Sequence, residues 1–449
     1  MTDVENAAQQ AAELRADDAP VWRNRDFLFL WIAQILGQTA QNSVNFGLLV
    51  LVQTRTQSAT QMSVAVLTVV LPSVIFGLVA GAYVDRRDKR LVLIWTNLVR
   101  AALMPLYVVF PDRMLLIYGL NFVFQTISQF FAPAETAMIP TVVRRGQLLQ
   151  ANSFFQITFT VAQLIGFVVL GPLAVKLWGI DALFVVVGAM LLLAGACIWP
   201  LPSTHRRVEQ TIGGFGELWH EIFFVVGYIR RDARISLAVV QWTVGSTLML
   251  IVASLAPNFV VHILQVRAED SVFILAPAGI GTVLGSVLIG QLGARIERFR
   301  LVQLALLLVG FLICLMALAG PVWDWLGWVS YGEGAVSSFW GSWSLVGAIM
   351  LLALAAGVGF VALLVPTQTI IQERSDESIR GRLFAAQLVL ANVASVLPLV
   401  MLGEVADTWG VPQTLGLVGV AVIAVGVWSG WRNGTIGTVD EERRPSIPG

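Results

Sequence analysis

Apolar residues fall into twelve long runs separated by short polar segments. The runs begin near Phe27, Met62, Leu91, Met114, Asn152, Ala182, Ile235, Val272, Leu301, Leu345, Leu383 and Thr414. Each continues for about 20 residues, the length a helix needs to cross a bilayer; an apolar core helix of a water-soluble domain stops at about 14. The pattern predicts an all-α integral membrane protein with 12 transmembrane helices.

A second pattern lies inside the runs. Gln34, Gln38, Gln41, Asn42 and Asn45 recur every three or four residues in span one, which places them on one helical face. Span four repeats this with Asn121, Gln125, Ser128 and Gln129, and span five with Asn152, Gln156, Thr160 and Gln163. Span seven offers Gln241, Thr243, Ser246 and Thr247, and span eleven Gln387, Asn392 and Ser395. Polar side chains are costly in lipid, so they face protein or water. They either meet a polar ligand or bond neighbouring helices. Only two ionisable groups lie clearly within spans, Arg100 in span three and Glu135 near the end of span four. An arginine cannot be neutralised by burial, so Arg100 needs a partner. Asn97, one turn earlier, offers an acceptor without a charge.

Charge sets the orientation. Of 28 Lys and Arg residues, twenty-three fall in one alternate set of loops and termini, four in the other, and Arg100 in a span. Positive residues stay on the cytoplasmic side, so both termini are expected there, in the plasma membrane. The longest connection on that side, 201–233, divides the spans into an N-terminal six-helix half (23–200) and a C-terminal one (234–432). Within it, Leu218, Trp219, Ile222, Phe223 and Val226 give an amphipathic stretch expected on the membrane surface. Residues 1–22 and 433–449 are expected to be cytoplasmic tails, the first disordered rather than a cleavable signal. Segment 321–344, with five tryptophans, reads as an interfacial aromatic belt or as a lid.

Composition excludes several functions. The 449 residues are 57% hydrophobic and 12% charged, with no net charge, which gives nucleic acid nothing to bind. Cys197 and Cys314 sit in apolar runs and the three histidines are scattered, so no metal and no cofactor is expected. Walker, HExxH and GxSxG patterns are absent, which argues against an enzyme.

The end of span two reads Gly77, Gly81, Asp85, Arg86, Arg87, Asp88, Lys89, Arg90. Gly77 and Gly81 form a GxxxG step expected to let another helix approach. This segment resembles the loop 2–3 signature of the major facilitator superfamily, with Asp88 where that motif has glycine. The resemblance extends to a branch similar to macrolide efflux proteins and enterobactin exporters. It is carried by Arg23–Phe27, Pro133–Pro140, Leu148–Asn152, Gly179–Leu183, Arg380–Phe384 and Gly403–Gly410. Gln163, Gly166, Gly171 and Pro172 resemble that superfamily's antiporter motif, with spacing one residue too long.

The resemblance implies the major facilitator fold, in which two halves flank a substrate path, and secondary active export by alternating access. Gln34, Gln38, Gln41, Asn42, Asn45, Asn121, Gln125 and Gln241 would contact a neutral or amphipathic organic substrate, drug-like or siderophore-like. Asp85, Arg86, Arg90, Arg100, Glu135, Gly171, Pro172, Arg380 and Arg382 would gate or couple. If protons are the coupling ion, burial makes Glu135 the first candidate carrier, with Asp26 and Asp85 behind it; the alternative is that Glu135 pairs with the loop 2–3 arginines. The chain is expected to act as a monomer in the bilayer. A lysophospholipid flippase of the same fold and a non-transporting sensor or scaffold are the competing readings.

Overall fold

A computed structural model describes residues 21–144, 147–203, 225–263, 272–292, 297–325, 337–375 and 377–442. The described residues form twelve long helices, preceded by a short 3-10 turn at Val21–Arg23. They are α1 (Arg25–Thr56), α2 (Ala59–Asp85), α3 (Lys89–Val109), α4 (Met114–Val142) and α5. Helix α5 consists of Leu148–Leu164, a π-helical stretch Ile165–Leu170, and Gly171–Trp178. The rest are α6 (Ile180–Ile198), α7 (Ala233–Ile263), α8 (Val272–Leu292), α9 (Arg298–Trp325), α10 (Ser337–Arg374), α11 (Glu377–Trp409) and α12 (Val411–Glu442). Ten of them are long and apolar enough to cross a membrane. Helix α1 is not among the ten, because its amides dilute its hydropathy, and α8 contributes only a shorter apolar stretch, Ala276–Ile289.

Local sequence explains several ends. Asn24 caps α1, accepting from the amides of Asp26 at 3.0 Å and Phe27 at 3.3 Å. Asp88 caps α3, accepting from the Arg90 amide at 3.0 Å. The residue that departs from the family motif therefore starts the next helix. Gly179 takes φ 87° between α5 and α6, and Gly410 φ 97° between α11 and α12, conformations that glycine adopts without strain. Helix α12 runs on to Glu442, through residues expected to be tail, since a formed helix adds one bond for each residue it gains.

The chain divides into two compact units, 1–51 with 68–212 and 52–67 with 213–449. The ends of α1 and α2 thus belong with the second unit. In the first, α3 packs on α4 and α6. A core of Phe27, Leu30, Leu93, Phe131, Met138 and Ile198 joins α1, α3, α4 and α6. In the second, α9 packs on α12 and α8 on α10. Residues 225–231 are helical, and Val225 and Ile229 are buried with Ile235, Phe299, Ile370 and Leu383. That part of the amphipathic stretch buries its apolar face in protein. Its first part, both ends of the chain and residues 326–336 of the tryptophan-rich segment lie outside the described residues.

Candidate functional site

Arg100 is the largest fully buried side chain of the first unit. It sits mid-helix in α3 and is enclosed by α1 and α4. Its Nη2 donates to Asn97 Oδ1 at 2.7 Å, and its Nε to the Thr96 carbonyl at 3.3 Å. Nη1 reaches Gln41 Oε1 and Ser128 Oγ, both at 3.4 Å. The guanidinium also lies 4.7 Å from the Phe131 ring centre and 5.8 Å from that of Phe124. Planar stacking of this kind suits arginine and not lysine.

Phe124, Ser128, Phe131 and Glu135 are spaced by four, three and four residues, so α4 presents all four on one face. Glu135 is buried, its Oε1 has no hydrogen-bond partner, and the charge acting on it is that of Arg100. Arg100 in turn feels Glu135. Glu135 of α4 is thus the carboxylate whose charge reaches Arg100, without a direct ion pair between the two side chains. A buried cation and a buried carboxylate each lower the cost of burying the other.

A chain of amides leads away from this pair. Gln41 Nε2 donates to Gln125 Oε1 at 3.4 Å, and Gln125 Nε2 to Asn45 Oδ1 at 2.6 Å. The 3.4 Å links are loose and the 2.6 Å link is tight. Hydrogen bonds thereby join Arg100, Gln41, Gln125 and Asn45. Asn121 joins them from one side, donating to Thr68 Oγ1 at 2.7 Å and meeting the Tyr107 hydroxyl at 3.5 Å. The other amides are placed differently. Gln34 bonds the Phe155 carbonyl at 3.0 Å, Asn42 bonds back to the Gln38 carbonyl at 2.8 Å, and Gln38 is buried. Gln241 belongs to the second unit, where it is fully buried and bonds Ser429 Oγ of α12 at 2.5 Å.

The loop after α2 is placed as follows. Asp85 is the last residue of α2, and its side chain is outside the described set. Arg86 is exposed. Arg90 donates to the Trp199 carbonyl and lies 5.9 Å from the Trp199 ring, which ties the start of α3 to the end of α6. Arg380 and Arg382 occupy the first turn of α11, with side chains outside the described set. The GxxxG expectation fails: a Cβ at Gly81 would meet nothing within 4 Å, and one at Gly77 only the far end of Gln129. Small-residue spacing permits an approach and does not supply the neighbour. The close approaches lie elsewhere. A Cβ at Gly281 would press into the Leu354 carbonyl, and one at Gly310 into the Gly419 carbonyl at 2.8 Å.

Helix α5 resolves the motif spacing. The Gly171 amide donates to the Gly166 carbonyl, five residues back, within the π-helical stretch. A π turn winds one more residue than an α turn, which is the excess seen in the sequence. Ser43 of α1 also donates to the Gly166 carbonyl, at 3.0 Å, and a Cβ on Gly171 would sit 2.7 Å from the Phe46 ring. Gly166 and Gly171 let α5 lie directly on α1, the polar helix, and Pro172 follows in the next turn. In the second unit, a cavity of about 60 Å³ is lined by apolar residues alone, including Phe259, Met316 and Phe360.

Residues 30–348 match the sequence profile of the Major Facilitator Superfamily. Macrolide efflux protein A of Streptococcus pyogenes is 23% identical over 376 residues, covering 75% of this chain and 88% of its own. The multidrug efflux pump Tap of Mycolicibacterium fortuitum is 23% identical over 394 residues, covering 82% and 86%. A mutant form of the nucleoside transporter NupG shares the fold, with a TM-score of 0.73 at 10% identity over 91% of this chain and 99% of that one. With long apolar helices, a buried polar centre and a profile match over most of its length, this chain belongs to the major facilitator superfamily of multi-pass membrane transporters.

Proposed function

We propose that the chain is a secondary active exporter of neutral or amphipathic organic molecules, drug-like in kind, driven by proton antiport through alternating access. Its two six-helix halves would be joined by a cytoplasmic linker, with both termini on the cytoplasmic side of the plasma membrane. The carrying observation is the buried Arg100, bonded to Gln41 and through it to Gln125 and Asn45, with the buried carboxylate of Glu135 on the α4 face that carries the arginine's partner Ser128. Amides and hydroxyls recognise an uncharged polar group, and the apolar cavity of the second unit has room for a few methylene groups. The efflux proteins similar to this chain support the same substrate class.

In this reading Glu135 carries the proton. When it is ionised, its charge offsets that of Arg100. When it is protonated, Arg100 loses that compensation and draws harder on its remaining acceptors, Asn97, Ser128 and Gln41. Because Gln41 is also bonded to Gln125, the amide chain feels the change. Gln34, Gln38, Asn42 and Asn121 support the shape of the polar centre, and Gln241 serves the second unit. Asp85, Arg86, Arg90, Arg380 and Arg382 act at the cytoplasmic ends of the helices as a latch.

The test is accumulation of fluorescent dyes and macrolides in efflux-deficient cells expressing the chain, with and without a protonophore. Lower accumulation, restored by the protonophore, is expected. No change across the panel would overturn export of this class. Export in the Glu135→Gln variant that keeps its normal pH dependence would remove Glu135 as the carrier.

A further inference from the structure

Asp407 stands two residues before the end of α11, within the second unit. Its carboxylate collects three donors from the start of α2. Oδ1 accepts from the Ala59 amide at 2.5 Å, and Oδ2 from the Thr60 amide at 2.9 Å and the Ser58 hydroxyl at 2.6 Å. Ser58 is already the local cap, accepting from the Gln61 amide at 3.2 Å. Asp407 therefore caps the helix a second time, from 347 to 349 residues away in the chain. A carboxylate over free amides at a helix start is a charge-assisted arrangement.

Neighbouring contacts repeat the attachment. A Cβ on Gly403, one turn before Asp407, would lie 3.0 Å from the Ala59 carbonyl and also strike the Ser63 hydroxyl. Ser63 Oγ meets Ser254 Oγ of α7 at 3.5 Å, and Gln53 Nε2 donates to Asn258 Oδ1 of α7 at 2.9 Å. All of these residues count with the second unit, although most of α1 and α2 counts with the first. Gln57, in the two-residue turn between those helices, takes a φ of 50° that a glutamine rarely adopts. Helix α2 changes unit between Leu67 and Thr68, and Pro72 has no N–H to give the Thr68 carbonyl, so the helix is weakened where its allegiance changes.

We propose that Asp407 is a gating residue whose carboxylate clasps the outward end of α2 to the second unit, and that transport requires this clasp to open and re-form. The proposal rests on the alternating-access reading and on the orientation proposed above. The carboxylate is partly exposed, so water can take its place. The buried Gln53–Asn258 and Ser63–Ser254 contacts then return the segment to register.

The experiment uses the full chain in membrane vesicles, with Cys197 and Cys314 replaced by alanine and a reporter cysteine introduced as Met62→Cys. Met62 is fully buried one turn below the clasp. Labelling by a membrane-impermeant maleimide from outside is expected to quicken about tenfold in Asp407→Asn, and less in Asp407→Glu, which keeps the charge. Ser58→Ala, which removes one donor of three together with the Ser58 cap on the Gln61 amide, is expected to give about threefold. Unchanged labelling in both Asp407→Asn and Ser58→Ala overturns the clasp. An equal rise at a control cysteine introduced as Met104→Cys, buried in the first unit, also overturns it, because the carboxylate then merely holds the fold. Labelling is read without flux. Normal dye export with unchanged labelling sinks the clasp and leaves the exporter. Faster labelling without export of any dye leaves the clasp and sinks the exporter.

Discussion

Helix α4 of the first unit and helix α10 of the second carry opposite kinds of interior. The first buries Asn121, Gln125, Ser128 and Glu135; the second buries Ile349, Ala353, Ala356 and Leu363, with Thr367 as its polar residue among those described. The Thr367 hydroxyl bonds back to the carbonyls of Leu363 and Leu364 in its own helix, each at 2.8 Å, and joins nothing else. The Gln125 amide instead links two helices through Gln41 and Asn45. Where α10 meets α8, backbone lies on backbone: a Cβ on Gly357 would press into the Ala278 carbonyl. One interior is built to respond to charge and polar ligands. The other is built to stay in one packing arrangement.

The sharpest way to break this contrast is Arg100→Leu. Removing the buried guanidinium leaves Asn97, Gln41 and Ser128 without their donor and leaves space beside Phe131, at a cost of about 2–5 kcal/mol. Thermal unfolding of the purified protein should show a large fall, and Arg100→Lys should not rescue it, since an ammonium cannot both fork to Asn97 and stack on Phe131. An unchanged unfolding temperature would mean that the first interior tolerates disorder as readily as a surface. Next in size is Gly281→Ala, which forces a methyl group into the Leu354 carbonyl and should cost about 1–3 kcal/mol. Flux per folded molecule should be kept, because this interior is proposed to hold rather than to recognise. A lost flux at full stability would reverse the assignment.

A matched pair sharpens the contrast further. Gln125→Ala should raise KM for an exported dye about fivefold, from the loss of roughly 1 kcal/mol of hydrogen bonding. Thr367→Val should leave KM within twofold, because its hydroxyl serves only its own helix. Equal effects would show that the two interiors recognise alike. The smallest expected effect is at Gly81→Ala, which meets nothing within 4 Å and should change stability by less than about 0.5 kcal/mol.

Helix positions were legible because the apolar runs are long and their period is unambiguous; each predicted start lies within about four residues of the observed one, apart from α11, which begins at Glu377 rather than near Leu383, and α10, which begins at Ser337 rather than near Leu345. There the tryptophan-rich segment hid the boundary. The face of α1 was legible from its three- and four-residue spacing. The partners of that face were not. Gln41 and Ser128 lie 59 and 28 residues from Arg100, and nothing in a single sequence pairs them. Asn97 was legible because it sits one turn away. Gln241 shares the polar signature of the stripe residues; its Nε2 bonds Ser429 while its buried Oε1 has no partner, a division that a sequence does not display. Asp407 was noticed only as part of a motif, since its donors stand at the far end of the chain.

The π turn in α5 also fixes a phase. Because one extra residue is wound into Ile165–Leu170, everything after it is rotated relative to a plain α-helix by about 100°, the angle of one residue. Winding the same sequence as regular α, with no residue removed, would swing Gly171 off the Phe46 ring and bring a bulkier neighbour against α1. The π turn therefore acts as a rotary adjustment, absorbing one residue of length so that the glycine face on either side of it still meets α1.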